Sequence, residues 1–324
     1  MAAETASDLI SVIIPLYNGS AHIAETLADV LGQTHADLEV IVIDDGSSDQ
    51  GAGAAIVTSL LDDPRLRLVR QENQGIARTR NVGLRLANPR ARCVMVMDHD
   101  DRVDTTLILS LKARLAARPD AAAAFAIADY IDSAGEPLHP GFFAAFMRDR
   151  SRAIAGRIQK IPPHADATLT ELFLANHIYP PSGVLIRRDA LDAIGGFDDS
   201  YRVADDWDAL VRLSRIGPIV PIDEQLVGYR RHAHNASGNR SLNIRETRQV
   251  WARTYYSPRN SDSQRQALRE AWLALQQQKF HEKSRLAGRA LRERRPLGAA
   301  RLQLDALAHL ALRRPLRQWM RSER

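Results

Sequence analysis

Four short runs, those in LISVIIPLYN, LEVIVIDDGSSD, LRLVRQ and CVMVMD, constrain this chain most, because all but LRLVRQ, which Arg67, Arg70 and Gln71 interrupt, carry an unbroken or nearly unbroken stretch of β-branched and other apolar residues. Strands of that kind are buried on both faces, and when they alternate with helices they form a parallel sheet covered on both sides. The intervening segments read as helices. Ile23, Leu27, Val30 and Leu31 recur at helical spacing behind Ser20 as N-cap, and further helices are predicted over 50–61, 76–86 and 104–117. In such sheets ligands gather outside the carboxyl ends of the strands. Asn18, Asp44, Asp45, Asp98 and Asp100 are predicted just past those ends, so they are expected to share one site.

The pattern weakens from 121 to 178. Residues 124–130 read as another strand with a turn at 133–135, and 140–176 as helix and loop broken by Pro162 and Pro163. VLIRRD is again a strand and DDWDALVRLSR a helix, and beyond Arg245 the chain reads as almost entirely helical. Charge marks the same division, since residues 245–324 hold 19 Lys and Arg against 7 Asp and Glu, whereas the rest of the chain is net acidic. The expected organisation is a catalytic domain over 1–240, with a donor-binding half at about 9–130 and an acceptor-binding half at about 131–240. A basic helical region follows over 241–324.

Residues 98–101, DHDD, place three carboxylates in four positions. At that spacing they repel one another and need a cation, arginines or protonation. A dinucleotide-binding reading fails, because PLYNGS has a single glycine after the first strand, and no GxxxxGK[ST] phosphate loop occurs. Mg²⁺ and Mn²⁺ suit such acids: they prefer oxygen ligands and are commonly held by one or two carboxylates plus substrate phosphates. His99 is expected to turn away from the ion and Asp101 to cap the following segment.

The ordered set VIIPLYN, EVIVIDDGSSD, NQGIARTRNVG, VMVMDHDD, PSGVLIRRDALDAIGGFDD, ADDWDALVRL and YRRHAHNAS resembles the family 2 inverting glycosyltransferases of the GT-A fold, over roughly residues 9–237. That resemblance implies a Rossmann-like, mostly parallel α/β sheet flanked by helices. It also implies roles. Asp44 and Asp45 would meet the nucleoside, with Pro15, Tyr17 and Asn18 shaping the pocket and Arg80 and Asn81 on the donor side. Asp98 would bind the ribose, Asp100 the metal, and His232 would approach the metal or diphosphate. His234 has a spacing to His232 that also suits a metal. Asp206 would be the catalytic base, beside Asp205 where the family more often has glutamate. Trp207 and Gly196 would lie on the acceptor side, with Trp207 alternatively in the core.

The implied reaction is metal-assisted, inverting transfer of a sugar from a nucleotide-diphosphate donor, a UDP-sugar, to a hydroxyl of a glycan or lipid-linked acceptor, in cell-surface polysaccharide synthesis. The alternatives are a catalytically decayed sugar-nucleotide-binding or scaffold protein on the same fold and, more distantly, a nucleotidyltransferase. One free carboxylate suffices as base, because the leaving diphosphate is already acidic. The lone Cys93 excludes an intramolecular disulfide and is expected to be buried. The N-terminus lacks a signal-peptide pattern and no run is long enough to span a membrane, which predicts a cytoplasmic protein, peripheral at the inner face of the membrane. In the tail, Leu304, Leu307, Leu310, Leu312, Leu316 and Trp319 alternate with Arg301, Arg313, Arg314, Arg317 and Arg321. Such a segment fits membrane-surface contact, or packing within the chain or against a second subunit. No nucleic-acid-binding module is visible.

Overall fold

A computed structural model describes residues 8–232, 235, 238–312, 314–315 and 317–320. In chain order its elements are β1 (Ile10–Leu16), α1 (Ile23–Leu31), β2 (Leu38–Asp45), α2 (Ala52–Thr58), β3 (Leu66–Gln71), α3 (Ile76–Leu86), β4 (Cys93–Val96), β5 (Arg102–Val103), α4 (Leu107–Ala116) and β6 (Ala123–Ile131). There follow α5 (Phe142–Arg148), β7 (Ser151–Ile154), β8 (Arg157–Lys160), α6 (Leu169–Leu174), β9 (Val184–Arg187), α7 (Arg188–Ala193), α8 (Asp205–Leu213) and β10 (Ile219–Arg230), then α9 (Arg240–Tyr255), α10 (Asp262–Arg292) and α11 (Pro296–Ala311). His234, Arg313, Leu316 and Arg321 lie outside the described residues.

The chain divides into two units: residues 1–149, 162–169 and 176–243 form one, and residues 150–161, 170–175 and 244–324 the other. The first holds an eight-stranded sheet of order β3-β2-β1-β4-β9-β6-β10-β5. Strands β3, β2, β1 and β4 run parallel, as do β6 and β10, while β9 lies antiparallel between β4 and β6 and β5 is antiparallel to β10. The apolar runs explain the centre, since Val12, Ile13, Ile14, Ile41, Val42 and Val94 are all fully buried. Helix α3 lies against β1 and β2 because residue 83 is glycine: a Cβ there would stand 2.3 Å from Ile13 Cγ2. Strand order reverses at β1, with β2 on one side and β4 on the other, and in sheets of this kind such a point marks a crevice beyond the carboxyl ends.

Several local expectations are corrected. Helix α1 begins at Ile23 with His22, not Ser20, at its N-cap, because residues 19–22 close a turn first. Helix α2 is shorter than 50–61: Asp49 accepts from the Gly51 and Gly53 N–H groups at 3.1 Å, committing residues 49–51 to a turn. Asp44 and Asp45 are the last residues of β2 rather than beyond it. The region read as helix and loop contains the β7–β8 hairpin, whose turn residues Ala155 and Gly156 both have positive φ. Strand β10 escaped notice because Pro221 and the polar residues 223–225 interrupt its alternation, and its register shifts there. Cys93 is half-buried rather than buried, and burial pushes its thiol upward.

The second unit is helical apart from that hairpin. Arg150 and Glu171 form a buried ion pair at 2.6 Å, and Trp251 and Trp272 meet edge to face at 5.6 Å. Trp272 donates to the Leu312 carbonyl at 2.9 Å. Leu297 and Leu304 of α11 stand 87% and 69% exposed. Among the described residues no helix is long and apolar enough to cross a membrane.

Candidate active site

The crevice begins at the end of β1. Tyr17 is exposed, and Asn18, at φ 52°, is held by the 47–48 turn: its side-chain oxygen accepts from Ser48 N–H at 2.7 Å, and its own N–H donates to Ser47 Oγ at 3.0 Å. Asp44 accepts from Ser47 N–H at 3.0 Å. Asp45 accepts from Gln71 Nε2 at 2.7 Å and from the Gln74 and Gly75 N–H groups at 2.9 Å, so this carboxylate organises the loop that leads into α3. Pro15 is buried, and its carbonyl lies 3.2 Å from His99 Nδ1, which turns His99 toward β1.

The three acids of DHDD each have a different partner. Arg80 holds Asp98 at 2.8 Å. Asp100 is 2.8 Å from His232 Nε2, and His22 stacks on His232 at 5.5 Å. Burial works against the Asp100 carboxylate, but the His232 hydrogen bond and the charges of His99 and His232 outweigh it, so Asp100 titrates below the usual range. Asp101 is fully buried; Ser182 Oγ donates to it at 2.6 Å and the Arg230 N–H at 3.1 Å. It is therefore a latch between β4, β9 and β10 rather than a cap, and burial, with Asp100 and Asp98 nearby, pushes it well up. Arg230, also fully buried, ties the edge together by donating to the Asp100 carbonyl at 2.6 Å, the Ser133 carbonyl at 2.8 Å and Glu25 at 2.7 Å.

Arg80 joins the two halves of the site. Its side chain is 3% exposed, and its second nitrogen meets Asp205 at 2.6 Å. Asp205 and Asp206 open α8, where the helix dipole favours negative charge. Burial and the charge of Asp205 push Asp206 up to about 7, against the pull of Arg80, while Trp207 N–H donates to it at 2.6 Å. A carboxylate poised near neutrality suits a general base. Trp207 is buried in the core.

The loop before α8 is fastened from two sides. Asn81 donates to the Phe197 carbonyl at 2.7 Å and accepts from Phe197 N–H at 2.9 Å, so its amide is committed to this loop. Arg212, paired with Asp208 at 2.6 Å, donates to the Ile194 and Gly196 carbonyls at 2.8 Å. Gly196 has φ +74°, and a Cβ there would meet Asn81 Oδ1 at 2.6 Å, whereas Gly195, at φ +76°, has open space around it. Gly196→Ala is accordingly expected to cost about 2–3 kcal/mol and Gly195→Ala only about 1. Urea denaturation of both variants checks this, and equal costs would remove Asn81 from the explanation.

Sequence reasoning put Asp44, Asp45, Asp98 and Asp100 at the strand ends, where the structure has them, but missed Arg230, Ser182, Arg212, Glu25 and His22. Arg230 and Ser182 stood inside YRRH and PSGVLIRRD, yet nothing local marks them as partners of Asp101. Among the described residues no three His, Cys, Asp or Glu side chains cluster as a ready metal site. The Asp100–His232 pair, with Asp98 two residues away in sequence, nevertheless fits a divalent ion that takes its other ligands from phosphate oxygens.

Residues 11–195 match the family described as Glycosyl transferase family 2. The glycosyltransferase GlyG of Streptococcus pneumoniae is 35% identical over 106 residues, covering 32% of this chain and 34% of that protein. Chondroitin synthase of Escherichia coli is 25% identical over 229 residues, covering 71% of this chain and 30% of that protein. The chain thus spans about a third of the length of these relatives. Among solved structures, S. aureus TarS in complex with UDP-GlcNAc superposes with a TM-score of 0.63 at 18% identity, over 94% of this chain and 81% of that one. The mannosyltransferase PcManGT of Pyrobaculum calidifontis, in complex with GDP-Man and Mn²⁺, gives 0.61 at 21% identity, over 92% and 75%. At those identities the superpositions establish the shared fold.

Proposed function

This chain belongs to glycosyl transferase family 2, and from that membership we propose that it transfers a sugar, with inversion, from a UDP-sugar to a hydroxyl of a glycan or lipid-linked acceptor in surface polysaccharide synthesis. The observation that carries the reading is the chain of contacts Asp98–Arg80–Asp205 ending beside Asp206. It sets a donor-side acid and an acceptor-side base in one fixed frame. The nucleoside lies across the ends of β1 and β2, with Tyr17, Asn18 and Asp44 around the base and Asp98 on the ribose. Two named structural neighbours were solved with nucleotide sugars, which supports a donor of that class here.

In the reaction, Asp206 takes the proton of the acceptor hydroxyl as its oxygen bonds to the anomeric carbon and the bond to the diphosphate breaks. Attack from the face opposite the leaving group inverts the centre with one base and no covalent intermediate. Asp205, paired with Arg80, stands beside Asp206 and helps to raise its carboxyl. The Gly195–Gly196 turn, fixed by Asn81 and Arg212, holds the loop leading to α8. Asp100 and His232 would hold Mg²⁺ or Mn²⁺; bound there, the ion would neutralise charge on the departing diphosphate.

Thermal-shift measurements with UDP-sugars, with and without Mn²⁺, test the donor assignment. A ligand bound by the native state alone at about 100 times its Kd adds about 2.7 kcal/mol to stability. A rise in melting temperature that needs both UDP-sugar and Mn²⁺ is expected; no rise with any nucleotide sugar would reject the reading.

The second unit suits an anionic membrane surface. Leu297, Leu304 and Leu307 project from α11 in a chain segment that carries a net +12 over residues 245–324. Wild type should co-sediment with vesicles containing phosphatidylserine or phosphatidylglycerol, less at high salt, and the triple variant Leu297→Ser, Leu304→Ser, Leu307→Ser should lose most of that binding. Equal binding by the two proteins would dismiss the leucine face.

A further inference from the structure

Helix α1 turns Ile23, Thr26, Leu27 and Val30 into the core, and Thr26 is the one polar residue among them. Its side chain is fully buried, where a hydroxyl is costly unless it is hydrogen-bonded. In a helix interior such a hydroxyl commonly bonds back to the carbonyl four residues earlier. Thr26 directs it out of the helix. Oγ1 stands 2.8 Å from the His99 carbonyl and 2.9 Å from the Asp101 carbonyl, so its single proton is shared between two peptide groups of the DHDD turn.

Residues 98–101 join β4 to β5 outside both strands, so no ladder takes up their carbonyls. Side chains from other elements do. Thr26 of α1 serves His99 and Asp101, and Arg230 of β10 donates to the Asp100 carbonyl at 2.6 Å. From the turn before β9, Ser182 Oγ accepts from Asp98 N–H at 3.0 Å and donates to the Asp101 carboxylate at 2.6 Å. Thr26, Ser182 and Arg230 are all fully buried, so this frame is shielded from competing water. The His99 ring lies over residue 19, where a Cβ would stand 2.2 Å from its Cδ2, so glycine at that position lets the turn close on the end of β1.

We propose that Thr26 is a positioning residue: its hydroxyl fixes the peptide planes of the DHDD turn and thereby sets the spacing of the Asp98 and Asp100 carboxylates for a divalent ion. The inference rests on the glycosyltransferase reading and deepens it by naming what holds the donor-side acids in place. Electrostatics supply the need. Asp98, Asp100 and Asp101 repel one another at this spacing, which favours a splayed turn until a cation joins them. A neutral hydroxyl shared by two carbonyls opposes the splay and leaves the negative charge that attracts the ion intact. With the acids already held together, less of the ion's binding energy goes into ordering the turn.

The test compares wild type with Thr26→Val, which has nearly the same shape without the hydroxyl, and Thr26→Ser, which keeps it. Amide hydrogen exchange over residues 97–103 is followed by mass spectrometry without ligand, and Mn²⁺ affinity in the presence of UDP by electron paramagnetic resonance. Thr26→Val should exchange about tenfold faster in this segment, with β2 exchanging as in wild type, and should bind Mn²⁺ about tenfold more weakly. Thr26→Ser should restore both. Should Thr26→Val not fold, Ser182→Ala, which removes the support at Asp98 N–H, carries the same expectations. Exchange over 97–103 unchanged by loss of the hydroxyl overturns the clamp. Faster exchange with Mn²⁺ affinity unchanged overturns the positioning role, as does a Thr26→Ser protein that behaves like Thr26→Val. Faster exchange confined to this turn, in a protein whose wild type binds neither Mn²⁺ nor UDP, keeps the clamp and rejects the transferase reading alone.

Discussion

Asp206→Asn is expected to lower kcat for transfer by about 10³-fold or more while UDP-sugar affinity stays within about threefold of wild type. The asymmetry follows from position. Asp206 opens α8, and Asp98 is joined to the start of that helix through Arg80 and Asp205. Because burial and Asp205 raise its carboxyl to about 7, wild-type kcat/KM should climb with pH through that region, and the variant's residual rate should lack that limb. Stability should show the opposite sign. A carboxyl whose folded-state value lies above its ordinary 3.8 favours the fold while protonated, and that advantage is lost as pH rises from about 4 to 7. The asparagine variant is therefore expected to gain stability relative to wild type across that window, reaching about 2–4 kcal/mol above it. Calorimetry of donor binding and denaturation at pH 4.5 and 8 check both halves. A loss of donor affinity as large as the loss of rate would remove Asp206 from the role of base.

The largest stability effect is expected at Arg80. Arg80→Met leaves the buried Asp205 and the partly exposed Asp98 without their shared cation, and breaking a buried pair from one side costs about 3–5 kcal/mol. Arg80→Lys keeps the charge but cannot fork to partners at 2.8 and 2.6 Å, so it should fall between. Most of the penalty is uncompensated carboxylate, so the triple variant Arg80→Met, Asp98→Asn, Asp205→Asn should recover more than half of it. Denaturant unfolding of the three proteins at neutral pH measures this. A single variant within about 1 kcal/mol of wild type would show that the two acids are paired elsewhere in solution.

The parts of the fold that local sequence specifies were legible, and those specified by distant contacts were not. The apolar strands β1, β2 and β4 announce themselves because both of their faces are buried, and α3 matches its expected limits because apolar spacing and Gly75 bound it. The parallel sheet followed from that alternation, whereas its GT-A type was implied by the resemblance that the ordered motifs carry. Strand β10 is invisible locally, since its exposed middle and shifted register are tolerated only through pairing with β6 some 100 residues away. The same divide runs through the site. The acids at the strand ends could be read off, as could their gathering at one edge, because topology places every parallel strand end together. Their partners could not. Arg230 reaches Glu25 across 205 positions and Ser182 reaches Asp101 across 81, and no local pattern encodes either contact. Asn81, expected on the donor side, spends both ends of its amide on Phe197, a commitment fixed only once α3 and the loop before α8 have packed.

The proposed reaction needs the edge formed by Asp98, Asp100 and His232 to be where a divalent ion and a nucleoside diphosphate meet. A crystal soaked with UDP and MnCl₂, with data collected at the manganese absorption edge, tests this most directly. The predicted result is an anomalous peak bonded to Asp100 and to the diphosphate, with His232 beside it and the uridine against Tyr17 and Asp44. UDP bound elsewhere, with no peak at this edge and Asp100 still paired to His232, would contradict it.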